Sequence, residues 1–324
     1  MVVVAVHSNP VFAVGRATKD KRDVYYRKAK EDGWRARSAF KLLQIDEQFS
    51  LFAGVTRVVD LCAAPGSWSQ VLQRRVAGIT GNSASTAPSA TTAAAAAAAA
   101  AASASDADAV IVAVDLQPML PLAGVTQLVG DITKLDTARE IIAQFDGRQA
   151  QLVVCDGAPD VTGMHDIDQF VQSQLLLAAL NITTHVLAPG GSFLAKIFRG
   201  RDVALLFAQL RLFFRHVTCV KPKSSRVASL ESFVLCRDYA PPADYVASFD
   251  GPMARGEFTV ALPADASDTD RYLVPFVVCG DLSGYDADTN YGVDEGYISL
   301  EPVQPPTQPP YKTALARKRH EPDQ

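Results

Sequence analysis

The sequence predicts an α/β fold with a mostly parallel, seven-stranded sheet and helices on both faces. Three observations predict it. Short apolar runs bounded by turn residues alternate with helical-length segments between residues 58 and 236. Several of these runs end in an aspartate: Asp60, Asp115 and Asp156. The stretch Val58–Gln70, VVDLCAAPGSWSQ, joins an apolar run to a helical run through a turn of small residues. Strand, tight turn and helix is how such proteins bring backbone close to a ligand.

Ahead of that unit the chain is basic. Residues 16–41 carry ten Lys or Arg against four acids, although the whole 324-residue chain has a formal charge of −4. Arg16–Arg37 interleaves this charge with Tyr25, Tyr26 and Trp34, the pattern of a surface that stacks on bases and neutralises phosphates. A solvated basic helix would have the same composition. Ser38 is placed to cap a helix in which Phe40, Leu42, Leu43, Ile45 and Phe49 recur at helical spacing. Lys41 lies inside that apolar set, where a lysine ordinarily snorkels. The first strand follows at Val58–Leu61, with Asp60 near its end, and a helix over Ser67–Val76 completes the unit. A carboxylate at the strand end opposes a pyrophosphate, and G-x-G-x-x-G is absent, which disfavours a nicotinamide dehydrogenase. S-adenosylmethionine (SAM), with its sulfonium and ammonium, suits an acidic strand end.

Ile79–Asp108 is almost wholly Ala, Ser, Thr and Gly, with ten consecutive alanines at Ala93–Ala102. Ten residues are few for an isolated helix in water, so the segment reads as a surface insertion. Spacing supports this. In a βαβ unit the acid that binds ribose lies about 20 residues beyond the glycine turn. Asp115 follows strand Val110–Val114, 49 residues beyond Gly66, and 19 once the 30-residue insertion is set aside. Asp115 is therefore the ribose-hydroxyl candidate. Strand Val125–Val129, helix Thr133–Phe145, strand Leu152–Cys155, helix Asp166–Leu187, strand Ser192–Phe198 and helix Asp202–Arg211 continue the alternation. Val217–Val220 and Ser232–Cys236 are the last two strands. Asp156, at the carboxyl end of a central strand, points at the ligand crevice. Lys196 lies among Phe193, Leu194, Ile197 and Phe198, where a lysine is costly unless paired or used. Glu231 opens the last strand, after a basic turn, K-P-K-S-S-R, that reads equally as a phosphate contact or a solvated loop.

The stretch D-L-C-A-A-P-G-S-W-S-Q resembles the cofactor loop of the RrmJ/FtsJ family of RNA ribose 2′-O-methyltransferases, D-L-G-A-A-P-G-G-W, with Cys62 and Ser67 in place of two glycines. R-A-R-S-A-F-K-L is similar to that family's R-S-R-A-W-F-K-L. The likeness spans about Asp20 to Tyr239 apart from the insertion. It implies a Rossmann-like SAM-dependent methyltransferase domain over residues 1–240. It implies a cofactor site of Asp60, Gly66, Trp68, Asp115, Asp131 and Asp156, with Asp131 at the adenine edge. It also implies a catalytic tetrad of Lys41, Asp156, Lys196 and Glu231, with no metal. Methyl transfer from a sulfonium to a hydroxyl is an in-line displacement in which the hydroxyl loses its proton. Lys196 is expected to be the base. At a reference pKa of about 10.4, roughly one lysine in 2,500 is neutral at pH 7. Burial and a like-charged neighbour, Lys41, are expected to lower that value. Asp156 is expected to position Lys196, and Glu231 to hold Lys41 or the ribose.

Residues 241–324 form a second, acidic region, with six basic and fourteen acidic residues, much Pro, and an apolar island at Tyr272–Cys279. Together with the basic-aromatic N-terminal segment, this extension resembles the tRNA anticodon-loop branch of the family. That implies methylation of tRNA nucleotides 32 and/or 34, and protein partners of helical-repeat and WD-repeat type. Apolar islands in an extension with few aliphatic residues suit docking, and a tail packed on its own domain is the alternative. Pro302–Gln324 is expected to be flexible. Five cysteines without a C-x-x-C read as thiols in a reducing, cytoplasmic setting. No apolar run reaches roughly 18 residues, so no membrane span is expected. Two further readings stay open: the same chemistry on rRNA or an mRNA cap, and a non-catalytic RNA-binding or scaffold protein that retains the fold.

Overall fold

The alternation of side chains along the strands decides what faces what. The computed structural model describes residues 22–78, 109–159, 164–200, 203–250, 253, 274–294 and 296–304. The insertion expected over residues 79–108, the basic residues before 22, the island's first residues 272–273 and the chain after 304 lie outside the described residues. In chain order the first elements are α1 (Val24–Glu31), α2 (Ala39–Phe49), β1 (Arg57–Leu61), α3 (Ser67–Arg75), β2 (Val110–Asp115) and β3 (Val125–Val129). Then follow α4 (Leu135–Ala143), β4 (Ala150–Cys155), α5 (His165–Val186), β5 (Leu187–Phe198), α6 (Val203–Arg211), β6 (Phe214–Pro222), β7 (Glu231–Tyr239) and β8 (Phe276–Cys279). One sheet carries all eight strands in the order β3-β2-β1-β4-β5-β7-β6-β8. β7 runs antiparallel to both its neighbours, and the other pairings are parallel.

Val58 of β1, Leu152 and Val154 of β4, Leu194 of β5, and Phe233 and Leu235 of β7 pack against α2 and α3. Val59, Leu61, Val153, Cys155, Phe193, Ala195 and Val234 pack on the other face with α4, α5 and α6. Each strand has a period of two, so one-residue steps change face. By that parity Asp60, Asp156 and Lys196 share the α2–α3 face. All three stand at the carboxyl ends of adjacent parallel strands, where an open α/β sheet receives its ligand.

Seven strands were expected and eight are present among the described residues. The eighth is the end of the apolar island: β8 lies parallel to β6, with Cys219 opposite Phe276 and Pro222 opposite Cys279. Cys279 is fully buried and Val277 packs on the core, whereas Phe276 and Val278 are exposed. The uninterrupted apolar run concealed this one-sided edge strand, because all its residues are apolar whichever face they take.

The extension also reaches the N-terminal helix. Tyr25 donates its hydroxyl to the Tyr285 carbonyl (2.8 Å), Arg27 donates to the Gly292 carbonyl (3.2 Å), and Lys30 donates to the Ser299 hydroxyl (3.1 Å). The Lys28 ammonium lies 4.4 Å from the Tyr285 ring centre. The stacking role expected of the N-terminal aromatics is corrected for Tyr25 and Trp34, which are buried at 6% and 7% exposure and act in packing. Tyr26, by contrast, is half-buried with the Lys30 ammonium 5.0 Å from its ring centre. Ser38 precedes α2 as expected but does not cap it; its hydroxyl instead shares a hydrogen bond with that of Ser67, 2.5 Å away. No helix among the described residues is long and apolar enough to cross a membrane.

Candidate active site

The cofactor loop runs from β1 into α3 and is tied to β2. Ala63 donates its backbone N–H to the Val114 carbonyl (3.1 Å), and Ala64 donates to Asp115 Oδ2 (2.9 Å). Gly66 begins α3 at φ +97°, a conformation that favours glycine, and a Cβ there would meet the Arg35 guanidinium at 2.7 Å. Arg35 braces the turn by donating to the carbonyls of Pro65, Leu120 and Pro121. Cys62, standing where the resembled pattern has glycine, takes φ +55°. It fits because residue 157 is glycine: a Cβ at Gly157 would lie 2.8 Å from the Cys62 Cβ.

Asp60 is 1% exposed. Its Oδ2 accepts from the Ser69 hydroxyl at 2.6 Å, while the buried Oδ1 has no hydrogen-bond partner. Burial lifts this carboxyl to about 7, against the Ser69 hydrogen bond, with Asp156 and Asp115 adding to the rise. An orphaned buried carboxylate oxygen beside a glycine turn fits a ligand that brings a cationic donor, as the ammonium of SAM would. Asp115 ends β2 and also accepts from the Gln117 N–H (2.8 Å). Asp131 follows β3 and accepts from the backbone N–H and hydroxyl of Thr133, and these bonds hold its carboxyl below the ordinary value. Trp68 is placed differently from the carboxylates. It is 1% exposed, its indole N–H donates to the Ser38 carbonyl (2.9 Å), and its ring lies 5.6 Å from that of Phe233. Its side chain is spent on the core between α3, α2 and β7.

The four tetrad residues come together from four elements. Lys41 of α2 reaches both carboxylate oxygens of Glu231, at 2.7 and 2.8 Å. Lys196 of β5 lies 2.7 Å from Asp156 Oδ1, donates to the Asp156 carbonyl at 2.8 Å, and is 3.8 Å from Glu231 Oε2. β5 and β7 make this geometry: Lys196 stands opposite Phe233 and Phe198 opposite Glu231, so Glu231 lies one like-facing position further along. Both lysines are buried, at 7% and 9% exposure. The expected depression of Lys196 is corrected here. Burial does push it down, but Asp156 and Glu231 outweigh that and raise it above the ordinary lysine value. Burial likewise pushes Glu231 up, and Lys41, Lys196 and the hydrogen bonds from Lys41 and Ser225 overcome it, leaving about 2.

Three supporting residues escaped the sequence reading. Ser69 holds Asp60, and its only trace is its place in the helix that follows. Ser225 donates to Glu231 Oε1 at 2.6 Å from within the basic turn, whose Lys223 is itself bonded to three carbonyls of the extension. Gln172 of α5 donates to the carbonyls of Lys196 (2.9 Å) and Gly157 (3.1 Å), so it ties the base strand to the Asp156 loop. Nothing in its local sequence marks it.

With this geometry in view, likeness to known proteins is informative. A family profile described as FtsJ-like methyltransferase matches residues 34–239. A human protein named tRNA (cytidine(32)/guanosine(34)-2'-O)-methyltransferase is 54% identical over 310 residues, 94% of this chain and 86% of that protein. A Schizosaccharomyces pombe protein of the same name is 52% identical over 307 residues, 94% of this chain and 98% of that one. A solved structure described as that of a ribosomal RNA methyltransferase from Plasmodium falciparum superposes with a TM-score of 0.50 at 20% identity, over 64% of this chain and all of that chain, a likeness of fold alone. The loop, the sheet order and these matches agree, and the chain belongs to the FtsJ-like methyltransferase family.

Proposed function

We propose that this chain transfers a methyl group from SAM to the 2′-hydroxyl of a tRNA anticodon-loop ribose, at nucleotide 32, 34 or both. The convergence of Lys41, Asp156, Lys196 and Glu231 beside Asp60 carries this reading. The human and fission-yeast relatives named for those two nucleotides support the choice of substrate. Asp60, Gly66, Asp115 and Asp131 are the residues that would hold the cofactor, and Trp68 would act behind them by fixing α3. Bound SAM supplies a methyl group on a sulfonium, which an oxygen nucleophile displaces in line.

The chain's own part is to orient the ribose and take its proton. Lys196 Nζ accepts the 2′-hydroxyl proton in its neutral form, and Asp156 aims that nitrogen. Glu231, locked by Lys41 and Ser225, fixes the far side of the ribose pocket. In the arrangement described, Lys196 is protonated at neutral pH, so turnover depends on its small neutral fraction. The test is methyl incorporation into purified tRNA. Lys196→Ala should lose roughly 10²–10⁴-fold in rate with calorimetric affinity for the demethylated cofactor retained. A near-wild-type rate would overturn the assignment.

Partners of helical-repeat and WD-repeat type belong to the same proposal. Ile298, Leu300 and Val303 of the extension are 79%, 45% and 50% exposed and offer an apolar strip. All five cysteines are free thiols, as suits a cytoplasmic enzyme. Co-purification from cells with and without Ile298→Asp reads this directly. Partners retained by the variant would remove the strip from the proposal.

A further inference from the structure

We propose that the cavity beside Glu231 seats the base and phosphate of an RNA nucleotide flanking the methylated one. The inference rests on the reading of the chain as an RNA ribose methyltransferase. The cavity has a volume of about 550 Å³, and Ser225, one of its lining residues, donates to the Glu231 carboxylate at 2.6 Å. Ser229 and Leu230 line it immediately before Glu231, and Lys221 spans the wall by donating to the carbonyls of Ser229 (2.7 Å) and Glu231 (3.0 Å). Across from them stand Phe276 and Val278 of β8, 47% and 45% exposed. Arg199, which also lines the cavity, lies three residues beyond Lys196. By the parity of β5 its side chain leaves on the opposite face of the sheet from Lys196. The seat therefore lies behind Glu231 and receives a nucleotide of an RNA strand that crosses the carboxyl edge of β5.

The chemistry of the cavity is that of a single-stranded nucleotide. The Arg199 guanidinium lies over the Phe276 ring, 4.7 Å from its centre. Unpaired RNA bases stack on aromatic rings and on arginine planes, and this pair offers both together with a positive charge. The other charged groups around the cavity are engaged. Lys221 and Lys223 are bonded to carbonyls, and Asp286 accepts from Asp288, Thr289 and Tyr291. The Arg199 side chain has no hydrogen-bond acceptor among the described residues, so its N–H fork is available to a phosphate. A purely apolar partner would gain nothing from that guanidinium. Half of the seat comes from the acidic extension, which gives β8 a task beyond closing the sheet.

A binding cycle tests the seat. The probe is an anticodon stem-loop RNA, intact or carrying an abasic nucleotide on either side of the methylated position. Binding to the full chain is followed by fluorescence anisotropy. Wild type should lose roughly tenfold in affinity with one of the two abasic RNAs. Arg199→Ala and Phe276→Ala should each lose a similar factor on intact RNA and be nearly indifferent to that abasic site. Unchanged affinity for the demethylated cofactor checks that the variants are folded. Wild-type binding of intact RNA by both variants would overturn the seat, as would losses that persist in full on abasic RNA. Variants that bind RNA normally but shed a protein partner would make the face a protein-docking surface and also overturn it. Failure of the Lys196→Ala test with this coupling intact would strike the enzyme reading and leave the nucleotide seat standing.

Discussion

Asp60 sits where folding and ligand binding want different things. Its unfolded value near 3.8 rises to about 7 in the fold. The folded chain therefore keeps a proton that the unfolded chain has lost, and stability falls as pH rises from about 4 to about 7, then levels. Asp60→Asn removes the buried charge. The variant should melt higher than wild type at pH 8, with the advantage shrinking towards pH 4, and should bind cofactor more weakly. Calorimetric melting across that range checks the first claim, and a variant without a pH-dependent gain would refute it. Lys196 runs in the opposite sense. Because Asp156 and Glu231 hold it protonated, kcat/KM should climb with pH through the neutral and alkaline range without levelling below the ordinary lysine value near 10.5. Asp156→Asn should move that climb to lower pH. A wild-type plateau near pH 8 would show that another group limits the reaction. The positions of Asp60, Asp156 and Lys196 were legible in the sequence, since each is a charge within or at the end of an apolar run. The direction of the Lys196 shift was not, because it turns on how closely Asp156 and, once β7 is laid antiparallel to β5, Glu231 approach the ammonium.

Between elements, small residues set how closely loops pack. The Cys62 side chain, on a residue with positive φ, occupies the space that a side chain at position 157 would need, and Leu175 closes the remaining side at 3.2 Å. Gly157→Ala should destabilise by about 1–3 kcal/mol, the range for overpacking. Cys62→Gly in the same chain should recover most of it, since it clears both the Cβ and the sulfur. Urea unfolding of the two single variants and the double reads the coupling, and simple additivity would exclude the contact as the cause. Phe233 links two systems: it is fully buried, 5.6 Å from Trp68 and 5.8 Å from the Lys41 ammonium. Phe233→Ala should cost about 3–5 kcal/mol and slow turnover by loosening Lys41. Such contacts are invisible to spacing alone, whereas the order of strands and helices up to β7 followed from apolar alternation and turn residues. β8 eluded it because a wholly apolar run has no period to read.

Across the whole molecule the acidic extension is a wrapping rather than an appendage. Its first part packs on the α5 side of the sheet: Tyr245 meets Phe213 edge-on at 4.8 Å and shares a hydrogen bond with Thr184, and Phe249 stacks on His185 at 4.4 Å. Its later part adds β8 beside β6 at the sheet edge and lies along α1, where Ala287 is buried against Val24 and Tyr25. A chain ending at residue 240 would uncover both faces at once. It would expose the edge of β6, strip Tyr25 and Lys30 of the partners they have at Tyr285 and Ser299, and open the surface over Val220 that Cys279 and Val277 help to close. Burial of a few aliphatic and aromatic side chains is worth about 1.5–3 kcal/mol each. The truncated chain should therefore lose at least about 3 kcal/mol, or roughly 6–12 °C in Tm. It should also lose RNA affinity, because Phe276 leaves with β8, while the cofactor loop keeps its ties to β2. Thermal melting of the two lengths side by side decides the matter. Equal midpoints would mean that residues 1–240 are self-sufficient and that the extension stabilises nothing in the methyltransferase fold.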